Sequence, residues 1–144
     1  MQFFQIFGEI KSSYIYIIMI DHYVYIGETQ SFPVIRWGAH LSKDGTLLKK
    51  LNNFGVDLND RNKSIKFIYF NLSDLFDINL SKNLKRSTQA IEHELHVRIK
   101  CRPSLLNNLI LISDTEKTAP SRFKYWEKAN EIVEIILKKL KGGS

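Results

Sequence analysis

A single cysteine, Cys101, stands in 144 residues. That scarcity excludes an intramolecular disulfide and a thiolate zinc cage. Long apolar runs are missing too, and the longest, Tyr14 to Ile20, is far too short to cross a bilayer. Glu9 and Lys11 stand where a secretory leader wants a basic start and an unbroken apolar run. These shortages point to a reducing, cytoplasmic setting with no membrane partner. Only three prolines occur, and no repeat, low-complexity tract or linker divides the chain. Acidic residues are also short: 15 against 21 basic ones leave a net charge of +6, which favours a polyanionic partner. The cations are scattered through Lys49-Lys50, Arg61 to Lys66, Lys82 to Arg86, Arg98 to Arg102 and Lys138 to Lys141. That scatter suits a broad phosphate-facing surface better than a disordered tail.

What is present reads as one domain over residues 1–141, with Gly142-Gly143-Ser144 a linker or tag remnant. Tyr14 to Met19 and Tyr23 to Gly27 are β-branched and aromatic, with Asp21-His22 a turn between them. Ser31 and Pro33 open a helix to about Leu41, a second spans Thr46 to Phe54, and Ser64 to Leu72 reads as a third strand. Ser87 caps a helix through Cys101, which Pro103 ends. A short segment, Leu105 to Ile112, precedes an amphipathic closing helix over about residues 122–141. The fold class expected is α+β: a small three-stranded antiparallel sheet flanked by helices.

An even number of unpaired residues at Asp21-His22 sets Tyr16 opposite Gly27 and Tyr25 opposite Ile18, with both tyrosines on one face. A three-residue loop would split them between faces. Packing alone would also explain tyrosines on strands. Arg36 and His40, four apart, share a helix face. They are either solvated polar groups or a fork for phosphate charge beside a proton carrier. On the helix from Ser87, the apolar residues Ala90, Ile91, Leu95, Val97, Ile99 and Cys101 sweep a wide arc that encloses Glu94 and Arg98. Glu92 falls at the edge of that arc, and His93, His96 and Lys100 face away from it. A carboxylate inside the arc is paired or binds a metal. Glu94 and Arg98 satisfy the first option, and a cation on Glu94 the second. Asn107 either orients a ligand or serves a turn.

Taken in order, Tyr16, Tyr25, Gly27, Arg36, His40, Glu94 and Asn107 resemble the signature of the GIY-YIG endonucleases, across about residues 13 to 110. Within that family the pattern is closest to a small phage endonuclease, through the Val-Tyr-Ile-Gly strand and the run from Glu94 through Ile99-Lys100 to Asn107. Tyr14 replaces the first glycine of the signature, Glu28 stands where relatives often carry a base, and Asn71 to Arg86 has no counterpart. The resemblance implies divalent-metal-dependent hydrolysis of DNA, double-stranded, in restriction, phage-host conflict or mobile-element biology. It implies Mg²⁺ or Mn²⁺ on Glu94, Tyr16 assisting deprotonation of water, and Arg36 bearing phosphate charge. Tyr25 and His40 would position water and phosphate, with Asn107 supporting them. One centre cuts one strand, so breaking a duplex needs a homo-oligomer or two visits. The alternative is a catalytically inactive nucleic-acid-binding module that retains the fold; a basic interaction protein is a third.

Overall fold

A computed structural model describes residues 1–42, 44–115 and 119–142. Its centre is a hairpin of β1 (Lys11–Ile20) and β2 (Tyr23–Ser31). The loop is two residues, with Asp21 at a φ of 57°. An aspartate tolerates that left-handed turn, and the even loop sets the expected register: Tyr16 pairs with Gly27 and Ile18 with Tyr25. On the other side of β1, β3 (Ile65–Asn71) pairs antiparallel.

The sheet has four strands, not three. β4 (Ile110–Leu111) lies parallel to β2, giving the order β3-β1-β2-β4 and making the sheet mixed. Two residues of strand leave no period-two pattern to read, and their partner lies nearly ninety positions earlier. β4 pairs with Tyr23 and Val24, so among the described residues the outer edge of β2 beyond Ile26 faces no strand.

Alternation along the strands sends side chains to two different helical layers. Ile15, Ile17, Val24 and Ile26 bury against α4 (Leu84–Cys101) and α5 (Trp126–Gly142). Tyr16, Ile18 and Ile20 bury against α1 (Val34–Leu41) and α2 (Thr46–Asn53), through Trp37, Leu47 and Leu51. A one-turn helix, α3 (Ile78–Ser81), leads into α4. The cap of α4 is Asn83, four residues before the expected Ser87 cap, and its side chain accepts from the Arg86 amide at 3.0 Å. Ser87 is instead buried and donates to the Leu80 carbonyl at 2.8 Å. α5 starts at Trp126, later than expected, and Gly142 is its last residue; Gly143 and Ser144 of the expected remnant lie outside the described residues. No helix among the described residues is long and apolar enough to cross a membrane.

Candidate active site

Tyr16 is 1% exposed and its ring lies over bare backbone: a Cβ on Gly27 would sit 2.3 Å from its hydroxyl oxygen and Cζ. Glycine is required there for close approach. Gly27→Ala should therefore force the ring away or strain the central hairpin, at about 1–3 kcal/mol. An unchanged urea midpoint for this variant would show that the ring is not held so tightly.

The Tyr16 hydroxyl meets His40 Nε2 at 2.8 Å. Pro33 starts α1 so that Arg36 and His40 fall one turn apart, and His40 turns inward, 2% exposed. Burial, aided by the Arg36 charge, lowers the His40 pKa to about 4. Burial also raises the Tyr16 pKa, outweighing Arg36, which interacts with the same hydroxyl. Near neutral pH the pair is thus a neutral phenol hydrogen-bonded to a neutral imidazole. Tyr25 stacks its ring beside His40 at 4.5 Å between centroids, and Lys50 Nζ stands 6.0 Å from the Tyr25 ring centre. Lys50 is anchored on the Ile112 carbonyl at 3.0 Å.

The carboxylate that faces these groups is Glu92. Its pKa is raised to about 8, first by burial and then by the charge of Glu28, with Arg36 opposing. Glu92 in turn raises Tyr25, after burial, and contributes to raising Tyr16. Glu28 is itself raised by burial, against a 2.6 Å hydrogen bond from Gln30 and the charges of Lys85 and Arg36. Glu28 and Tyr25 alternate to opposite faces of β2, so Glu92 senses both faces across the uncovered edge of that strand.

Glu94 lies elsewhere. Arg98 Nε approaches it at 3.5 Å, and the same guanidinium donates to Glu134 and, at 3.4 Å, to the Asn130 carbonyl on α5. The enclosed pair expected at Glu94 and Arg98 is therefore a clamp between α4 and α5, and Glu92 takes the place assigned to Glu94 beside the tyrosines. Asn107 is not brought to the cluster either. It is exposed at a φ of 57°, ends the 3₁₀ turn Pro103–Leu106, and lines a groove against the α5 layer with Ile17 and Lys139. The turn reading of Asn107 fits that position.

The expected arc on α4 is rotated. Val97 and Cys101 are exposed, whereas Ser87, Thr88 and His96 are buried. His96, expected at the surface, is 1% exposed and fully partnered. Its Nδ1 lies 2.8 Å from the Glu92 carbonyl, which can only accept, so Nδ1 carries the proton. Nε2 then accepts from Ser113 Oγ at 2.7 Å, and Ser113 accepts the Ile26 amide of β2 at 2.9 Å. This relay fastens the turn of α4 that carries Glu92 to the sheet edge. Hydrophobic periodicity counts histidine as polar and had no means to find it.

The chain matches no protein-family model, no curated protein and no solved structure. The site's own chemistry carries the reading. Among the described residues no three His, Cys, Asp or Glu side chains gather into a metal cluster. The pair Glu28 and Glu92, each raised by burial and Glu92 also by its neighbour's charge, still fits a hard divalent cation. Such an ion would relieve the repulsion while taking its remaining ligands from water and phosphate.

Proposed function

We propose that this protein is a divalent-metal-dependent endonuclease that hydrolyses DNA through a GIY-YIG-type centre, with Glu92 as its acidic residue. The single observation that carries the reading is the convergence of Tyr16, Tyr25, Arg36, His40 and Glu92, from two strands and two helices, within electrostatic reach of one another. Packing needs no such assembly of titratable groups, and perturbed groups cluster where chemistry occurs.

In this reading Glu92, with Glu28 beside it, would hold Mg²⁺ or Mn²⁺, and the ion would supply polarisation of the scissile phosphate. Tyr16 takes a proton from the attacking water as it passes its own to the hydrogen-bonded His40 imidazole, a weak base that holds the proton only in passing before releasing it to solvent. A resting tyrosinate is not needed, since burial disfavours it. Arg36 carries the charge that grows on the phosphate. Tyr25 and Lys50 hold the strand's phosphate against the sheet face. The partner is double-stranded DNA, and a homo-oligomer or two visits would sever both strands.

Supercoiled plasmid tests the reading. Wild type with Mg²⁺ should nick it, EDTA should stop the reaction, and Glu94→Gln should retain at least about half the rate, because that carboxylate acts only in the Arg98 clamp. Binding without nicking would favour the silent nucleic-acid-binding module, to which the negative Glu28 lends some support. Loss of nicking in Glu94→Gln would return the metal to the residue expected from the signature.

A further inference from the structure

Four cations gather around a cleft outside this centre: Lys82 after α3, Arg86 in the first turn of α4, and Arg122 and Lys124 before α5. The cleft measures about 230 Å³, and Asn83 and Tyr125 complete its wall. All four cations are exposed, and among the described residues none is ion-paired. Some other basic residues are paired with carboxylates: Lys63 with Asp21, Arg98 with Glu94 and Glu134, Lys128 with Glu131. Arg122 also holds a φ of 61°, a conformation that disfavours an arginine by about 1 kcal/mol. Like charges converging on one concavity repel, and a strained backbone adds to that burden. The repulsion is relieved by an anion bound between them.

The cleft lies at the start of the helix that carries Glu92. Lys85 stands seven residues before Glu92, two turns along the same stripe of α4, and its charge already acts on Glu28. Arg86 and Glu92 are six residues apart, roughly 9 Å along the helix axis. Those six residues also turn about 240°, so Arg86 stands on a different side of α4 from Glu92.

We propose that the Lys82, Arg86, Arg122 and Lys124 cleft binds a backbone phosphate of a nucleic-acid strand other than the one at the reactive centre. The proposal rests on the nuclease reading for its partner. It makes the cleft a positioning site that reads no base.

The test is duplex binding by fluorescence anisotropy in EDTA, titrated across KCl concentrations. Arg122→Gly/Lys124→Gln is the first variant, because glycine suits the backbone at position 122 and keeps the fold intact. Lys82→Gln/Arg86→Gln probes the opposite wall, and Arg102→Gln/Lys141→Gln is a control of equal charge at the other end of α4. Each cleft variant should lower the slope of log K against log salt by up to about 0.9, the value for one phosphate contact, and the control by much less. With Mg²⁺, cleft variants should raise KM for nicking by tenfold or more with kcat within about threefold. Equal slopes for cleft variants and wild type, or equal losses in cleft and control variants, would overturn the proposal. Slope loss in the cleft variants with no nicking by wild type would retain the phosphate site and reject the nuclease. Absence of any duplex binding by wild type would reject both.

Discussion

Glu92→Gln should abolish plasmid nicking and at the same time make the protein more stable at alkaline pH. The first effect follows from losing the carboxylate that faces both tyrosines. Several kcal/mol of transition-state stabilisation correspond to about 10³-fold or more in rate. The second follows from proton linkage. The unfolded chain releases the Glu92 proton near 4.5, whereas the folded protein keeps it until about 8, because burial and then Glu28 penalise the charge. Between those values the folded state binds more protons, so folding stability declines as pH rises and the penalty is complete above about pH 8. Glutamine carries no such charge. Its melting temperature should match wild type near pH 4.5 and exceed it by roughly 5–10 °C at pH 8.5. Mg²⁺ should narrow that gap by stabilising wild type alone. Nicking by the variant at the wild-type rate, or a melting difference indifferent to pH, would remove Glu92 from the site.

Arg36→Ala is the second large effect. Its guanidinium acts on Tyr16, Tyr25, Glu28, His40 and Glu92, so no other cation is coupled to as many groups of the centre. Removing a positioned donor of this kind should lower kcat by about 10²–10³. Arg36→Lys should recover part of that loss, since it restores the charge without the planar fork. His40 offers an independent readout by NMR titration. Burial is the larger cause of its low pKa and Arg36 the second, so the alanine variant should move His40 above about 4 while leaving it below 6.5. A cleavage rate within tenfold of wild type would show that Arg36 is a bystander.

The hairpin was legible because its determinants are local. Alternating β-branched and aromatic residues set the strand faces, and an even loop at Asp21-His22 placed Tyr16 over Gly27. The Arg36 and His40 pair was legible for the same reason, four residues being one turn. The acidic residue was not. Glu92 and Glu94 differ by about 200° around α4, and the helix bears apolar or charged residues on nearly every side. Which one meets the tyrosines depends on how α4 is rotated, and that rotation is set by elements far away in the chain.

By itself, then, the sequence determined the two hairpin strands and the register that a two-residue turn would impose, the helix carrying Arg36 and His40, and an excess of positive charge. Only the tertiary structure decided that β4 joins the sheet in parallel, that α5 occupies Glu94 through Arg98, and that Ser113 buries His96 to hold Glu92 at the open edge of β2. Patterns within a few residues are enforced by backbone geometry. The rotation of a many-sided helix is enforced by partners from residues 110–142, whose positions exist only after folding.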